Sequence, residues 1–178
     1  MKIAILGYSG SGKSTLAREL CKLHGLPVLH LDTVMFLPNW QERPQDEQLA
    51  IVQAFMDAHE NWVIDGNYSN LLQPRRLEEA DEIVLLLFNR FASLRRVTQR
   101  YRRYRGKSRP DMTRGCEEKL DAAFIRWVLW GGRTRKKRGS FARIRENYGG
   151  KTVVLKSQRQ IDRWLENKKG EHKHAGSL

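Results

Sequence analysis

Gly7-Tyr8-Ser9-Gly10-Ser11-Gly12-Lys13-Ser14 follows the apolar run Ile3-Ala4-Ile5-Leu6 almost at the start of the chain. The eight residues fit G-x-x-x-x-G-K-[ST] in the strand–loop–helix setting that the pattern requires. Such a loop turns successive backbone N–H groups inward into an anion nest. The helix that starts near Lys13 adds the positive end of its dipole at the same place. The pattern therefore predicts a phosphate site made by Gly7, Ser9, Gly10, Ser11, Gly12, Lys13, Ser14 and Thr15. Lys13 would reach the β- and γ-phosphates, and the Ser14 hydroxyl would ligate Mg²⁺. ATP with Mg²⁺ is the ligand this implies.

Punctuation along the chain gives the frame. A strand is predicted over Lys2–Leu6 and a helix from Lys13 to about His24, stopped by Gly25. A second strand, Pro27–Leu31, ends at Asp32, and residues 33–43 read as loop. A helix from about Pro44 to Glu60 places Leu49, Val52, Phe55, Met56 and His59 on one face. Further strands are expected at Trp62–Ile64, Ile83–Phe88 and Lys151–Leu155, with a terminal helix from Gln158 to about Asn167 and a frayed tail from Lys168. Strands alternating with helices mean an α/β fold of the P-loop NTPase type: a five-stranded parallel sheet with helices on both faces. Residues 90–148 break the alternation and read as an inserted basic helical lid within a single domain of 178 residues. In that lid Leu120, Phe124, Trp127 and Val128 fall on one helix face and read as core.

Charge is distributed unevenly. Residues 1–89 carry −5, residues 90–145 carry +15, and the remainder carries +3. A polyanion is expected near the middle segment: nucleotide phosphates, a phosphorylated substrate, or nucleic acid. The longest apolar run, Ile83–Phe88, is far too short for a membrane span. The opening apolar segment is too short for a signal peptide. Cys21 and Cys116 lack metal-site spacing, so a reduced, cytoplasmic protein is expected.

In parallel sheets, ligands bind at the carboxyl ends of the strands. That edge gathers the Gly7 loop, Asp32, Asp65 and Asn89-Arg90. Asp65, closing an apolar strand, suits a metal-binding role of the Walker-B kind, against a plain turn cap before Gly66. Asp32 suits a base or an acceptor-orienting group, against a cap with Thr33. His30, on the same strand face as Asp32, reads as a satisfied strand histidine. Arg96 and Arg100 share a helix face four residues apart, as a migrating phosphoryl group needs. Arg103 continues that face, while Arg102 and Arg105 read as solvated. Trp40 and Tyr68 are candidates for an acceptor pocket, and Trp62 for the core.

Taken together, Gly7–Thr15, His30-Leu31-Asp32 with Trp40, Trp62-Val63-Ile64-Asp65-Gly66-Asn67-Tyr68 and Arg109-Pro110-Asp111-Met112 resemble the adenylate-kinase-like P-loop proteins called DNA topology modulation (FlaR-type) proteins. The resemblance covers about residues 2–165. It implies a nucleoside-monophosphate-kinase-like core, an acceptor region after the second strand, and a lid whose basal arginine pair matches Arg96 and Arg100. It also implies that the loop near Lys156 and Ser157 lies against the nucleotide base. Adenylate kinases carry Asp-Gly-Phe-Pro-Arg after the third strand, where the arginine grips the acceptor phosphate. Here the stretch is Asp65-Gly66-Asn67-Tyr68, with Arg75 and Arg76 only later, which leaves a hydroxyl acceptor open beside a phosphate one.

The leading expectation is an ATP-dependent phosphotransferase, with Lys13, Asp32, Arg96 and Arg100 catalytic, Ser14 and Asp65 at the metal, and a small-molecule acceptor. The alternative is a nucleotide-dependent DNA-binding or DNA-topology-modulating protein, which would use the basic segment and the aromatics Tyr101, Tyr104, Trp127 and Trp130. A third reading is an NTPase that needs no acceptor.

Overall fold

The structure, a computed structural model, describes residues 1–175, with side chains up to Lys169. Five strands form one sheet: β1 (Lys2–Gly7), β2 (Val28–His30), β3 (Trp62–Asp65), β4 (Glu82–Leu86) and β5 (Thr152–Leu155). Their spatial order is β2-β3-β1-β4-β5, and every pairing is parallel. β1 lies at the centre, with Ile3 opposite Val63 and Gly7 opposite Leu86. Its residues Ile3 to Leu6 are essentially inaccessible to solvent. This explains its unbroken apolar sequence, since a central parallel strand is covered on both faces.

Alternation along the strands divides the core in two. Ile3, Ile5, Val63 and Val84 pack with Leu16, Ala17 and Leu20 of α1 (Lys13–His24) and with Ile161 and Trp164 of α8 (Gln158–Ala175). On the other face Ala4, Leu6, Trp62 and Ile64 pack with Val52 and Met56 of a helix at Gln45–Ala58 and with Phe141 and Ile144 of a helix at Arg135–Asn147. Burying each large apolar side chain contributes about 1.5–3 kcal/mol. In chain order the remaining helices are α2 (Leu31–Met35), α3 (Gln45–Ala58), α4 (Gln73–Glu79), α5 (Arg90–Tyr104), α6 (Ala122–Leu129) and α7 (Arg135–Asn147). No helix of the described residues is long and apolar enough to cross a membrane.

Several boundaries differ from the sequence expectation, each for a local reason. β2 ends at His30, so Asp32 sits in the first turn of α2 rather than at a strand end. Residues 33–43 are not plain loop but hold most of α2 and a 3₁₀ turn at Pro38–Trp40. Both elements are too short to show a hydrophobic period. β4 stops at Leu86, because Asn89 caps α5 by accepting the Ala92 N–H at 2.8 Å. α8 continues past Asn167 to Ala175, where a frayed tail was expected from Lys168; residues 176–178 lie outside the described residues.

Between β4 and β5 the chain leaves the sheet for α5, the irregular segment 105–121, α6 and α7. α6 is short, and of its residues only Val128 is buried. The expected core role of Trp127 is therefore corrected, since it is 49% exposed. It packs on Gly131 and Gly132 and donates its indole N–H to Ser9 Oγ at 3.3 Å.

Candidate active site

The loop from Gly7 to Gly12 turns where the backbone needs special angles. Gly7 has φ +148°, and a Cβ there would lie 2.3 Å from the Leu86 carbonyl oxygen. Gly12, at φ +97°, opens α1, and a Cβ there would meet Nη2 of Arg96 at 2.4 Å. At Gly7 the clash is with backbone and a side chain does not fit; at Gly12 Arg96 could move, but the left-handed angle strains any side chain. The first turn of the loop is held by an amide clip. Asn67 Oδ1 accepts from the Gly7 N–H at 2.9 Å, and its Nδ2 donates to the Gly7 carbonyl at 2.6 Å. A side chain from the loop after β3 thus satisfies both polar groups of the glycine.

Lys13 Nζ donates to the Tyr8 carbonyl at 3.3 Å. Burial pushes its pKa down, against the opposing pull of the Asp32 and Asp65 charges. Ser14 Oγ donates to Asp65 Oδ2 at 2.8 Å, and the other oxygen of Asp65 meets His30 Nδ1. Burial works to lower the His30 pKa, but the bond to Asp65 and its charge outweigh it, and the net shift is upward. Ser11 is buried with no partner for its hydroxyl, while Ser9, Gly10 and Thr15 line the cavity. A hydroxyl and a carboxylate in contact at a phosphate loop are the oxygen ligands that a hard divalent cation takes. The donor set fits Mg²⁺, and the glycine cradle fits a polyphosphate.

Across the cavity Asp32 is held from two sides. Tyr68 donates its hydroxyl to Oδ1 at 2.9 Å, and Arg109 Nη2 donates to Oδ2 at 3.2 Å. Burial and the Asp32 charge both push the Tyr68 pKa far up, so the phenol stays a donor. Arg109 also pairs with Asp111 at 3.0 Å and with Glu118 at 3.1 Å. Arg100 Nε donates to Glu118 at 2.8 Å, and Arg18 of α1 pairs with Asp111. The lid loop 107–118 is therefore docked on the segment after β2. Backbone contacts add to this: Thr113 Oγ1 donates to the Phe36 carbonyl at 2.5 Å, and the Asn39 N–H to the Gly115 carbonyl at 3.3 Å.

The structure brings Lys13, Ser14, Asp32, Arg96 and Arg100 to this cavity, with Asp65 buried behind Ser14, and gives the two arginines different partners. Arg100 faces the lid-loop carboxylate. Arg96 donates to Gln158 Oε1 at 2.5 Å, lies 5.1 Å from the centre of the Phe88 ring, and covers Gly12. Arg75 and Arg76 turn elsewhere. Arg75 pairs with Asp57 at 2.5 Å and Glu79 at 2.6 Å. Arg76 is fully buried and donates to the carbonyls of Tyr68 at 2.6 Å and Leu71 at 2.7 Å, with burial bringing its pKa down to about 10. It braces the loop that carries Asn67 and Tyr68.

Sequence reasoning missed Arg109, Glu118 and Asn67 as parts of the site. One signal was available for the first two. Residues 90–145 contain only four acidic residues, and Asp111 and Glu118 flank Arg109 closely. Arg133 donates to the Phe88 carbonyl and to Ser93 Oγ, each at 2.8 Å, and its guanidinium lies 4.0 Å from the Tyr8 ring centre.

The shared cavity has a volume of about 1130 Å³. That exceeds a usual single-ligand pocket of roughly 300–1,000 Å³ and suits two ligands side by side. Phe36, Trp40, Tyr68, Tyr104 and Phe124 are among its lining residues.

The family described as AAA domain matches residues 3–123. Among solved structures, shikimate kinase from Acinetobacter baumannii in complex with shikimate aligns with a TM-score of 0.56 at 17% identity, covering 99% of this chain and 94% of that one. Deoxyadenosine kinase from M. mycoides with bound dATP aligns with a TM-score of 0.51 at 19% identity, covering 94% of this chain and 98% of that one. No curated protein matches the chain. At these identities the likeness is one of fold, that of the P-loop kinases.

Proposed function

The chain belongs to the AAA domain family, and on that premise we propose that it is an ATP-dependent phosphotransferase acting on a small-molecule acceptor. The observation that carries the proposal is the convergence of three groups on one cavity: Lys13 in the glycine loop, the Ser14–Asp65 pair, and Asp32 opposite them. Phosphoryl transfer asks a protein mainly for positioning and for charge stabilisation.

ATP phosphates are held by the backbone of Gly7, Ser9, Gly10, Ser11 and Gly12, by Lys13, and by the side chains of Ser14 and Thr15. Mg²⁺, held through Ser14 and Asp65, supplies neutralisation of phosphate charge when bound. His30 fixes the orientation of Asp65 through its second oxygen. Arg100 stands where the lid meets the cavity and stabilises charge on the migrating group. Arg96, whose guanidinium lies over Gly12 of the phosphate loop, stands with it at the phosphates of ATP. Asp32, held by Tyr68 and Arg109, orients the acceptor and takes its proton. The docked lid loop excludes water, which limits wasteful hydrolysis.

Titration calorimetry with ATP and Mg²⁺, followed by ADP release in the presence of acceptors, tests this. Acceptor-dependent ADP formation that falls at least 100-fold in Lys13→Ala supports it. ATP turnover that ignores every acceptor, or that survives Lys13→Ala, rejects it.

A nucleotide-dependent DNA-binding role is the second reading, and one observation favours it. Among the described residues, only Arg100 and Arg109 of the 90–145 segment have a carboxylate within ion-pair reach, and Trp127 and Trp130 are exposed. DNA affinity that falls steeply as salt rises would support this role.

A further inference from the structure

We infer that Lys137 of α7 is a ligand for a phosphate oxyanion of the bound substrates, at the Tyr8–Ser9 end of the glycine loop. The inference rests on the phosphotransferase reading and adds a residue to the same site.

Among the described residues, four cations besides Lys13 line the cavity without a carboxylate in ion-pair reach: Arg96, Arg103, Lys119 and Lys137. Three of them have other surroundings. Arg96 donates to Gln158 and lies by the Phe88 ring. Arg103 and Lys119 are exposed, 5.6 Å from the Tyr104 ring centre and 5.7 Å from that of Trp40, where water screens them. Lys137 differs. It is half-buried, and no hydrogen-bond acceptor, carboxylate or ring among the described residues meets its ammonium. Burial lowers its pKa, and no neighbouring charge opposes the shift. A cation drawn out of water with nothing to offset it costs free energy, and a bound anion removes that cost.

The helix does not account for this lysine. Arg135, Lys136, Lys137 and Arg138 open α7 with no acidic residue in its first turn, where the helix dipole disfavours positive charge. Lys136 is exposed to water, whereas Lys137 lines the cavity.

Its neighbours fix where the ammonium works. Arg133 and Phe141, four residues to either side, both meet the Tyr8 ring, at 4.0 Å and 5.4 Å from its centre. Trp127, which packs on Gly132, donates to Ser9 Oγ at 3.3 Å. This part of the chain therefore approaches the loop at Tyr8 and Ser9. The Tyr8 carbonyl also receives Lys13 Nζ at 3.3 Å, whereas Arg96 covers the loop at Gly12. Lys137 joins Lys13 at the end of the loop away from α1. A cation there stabilises charge on the group in transfer. Two sources supply the same chemistry, the γ-phosphoryl group of ATP and a phosphate carried by the acceptor.

Calorimetry tests the inference and separates the sources. ATP and ADP, each with Mg²⁺, are titrated into the wild type, Lys137→Ala, Lys137→Arg and Lys136→Ala. The last removes an exposed charge from the same turn. Inorganic phosphate is titrated into protein saturated with a non-hydrolysable ATP analogue, which leaves the acceptor side open. If Lys137 meets the γ-phosphoryl group, ATP affinity falls about tenfold or more in Lys137→Ala, while ADP affinity stays within about twofold. If it meets an acceptor phosphate, ATP affinity holds and phosphate affinity falls by that factor. In either case Lys137→Arg should keep most of the affinity and Lys136→Ala all of it. A readout on the wild type covers the case of a misfolded variant: acetylation of Lys137, followed by mass spectrometry, should be slowed by ATP with Mg²⁺ or by phosphate on the analogue-saturated protein. Affinities unchanged in Lys137→Ala, equal losses in Lys136→Ala, or labelling indifferent to both ligands would overturn the inference and leave the kinase reading standing. Absence of ATP binding to the wild type would remove both.

Discussion

From Gly7 to Ser14 the cavity wall is made by backbone; from Arg109 to Glu118 it is made by side chains. The phosphate loop handles charge with N–H groups, positive backbone angles at Gly7, Gly10 and Gly12, and one amide clip. The lid loop handles it with Arg109 set among three carboxylates, two of them its own neighbours and the third Asp32, 77 residues away. A backbone device is rigid and indifferent to most side-chain changes. An ion-pair device depends on each partner, because removing one unbalances charges that are mostly buried. The two walls should therefore fail differently.

The largest effect is expected at Arg109. Arg109→Ala takes one partner from each of Asp32, Asp111 and Glu118, which keep Tyr68, Arg18 and Arg100, and should lower unfolding stability by about 3 kcal/mol in urea titration. Adding Glu118→Gln should restore roughly 1 kcal/mol of that loss, which a double-mutant cycle reads directly. Strictly additive losses would mean that the two residues do not share a network. In the phosphate wall, Asn67→Ala removes the partners of Gly7, whose N–H and carbonyl then lack satisfaction. A cost of about 1–3 kcal/mol is expected, together with weaker ATP binding by calorimetry. ATP affinity unchanged by this variant would show that the loop holds itself without the clip. The smallest effect is expected on the outer face of the lid. Arg102→Ala and Arg145→Ala, both exposed and without an ion pair among the described residues, should shift stability by no more than about 0.5 kcal/mol. ADP formation should not change in either.

The same contrast explains what could be read from the chain itself. The phosphate wall is contiguous in sequence, so Gly7 through Thr15 announces itself, and the apolar runs announce β1, β3 and β4. The strand-end position of Asp65 was legible because Trp62-Val63-Ile64 precedes it without a break. Arg109 was not legible in the same way. Only the acidic residues Asp111 and Glu118 downstream set it apart from eighteen other basic residues in its segment, and its partner Asp32 is supplied by the fold. Asp32 itself was placed at the right edge but in the wrong element, since a five-residue helix carries no usable period. Trp127 was misjudged because α6, at eight residues, shows an apolar stripe without enough neighbours to cover it.

Both walls serve one chemical claim, that Asp32 works on an acceptor while the glycine loop holds ATP. Asp32→Asn tests it most directly, since the amide keeps the shape and loses the base. Acceptor-dependent ADP formation and ATP affinity are to be measured on the same preparation. The account predicts a fall in kcat of about 100-fold or more, with ATP affinity unchanged within about twofold. An unchanged kcat would contradict it, because the carboxylate opposite the phosphate loop would then have no part in the transfer.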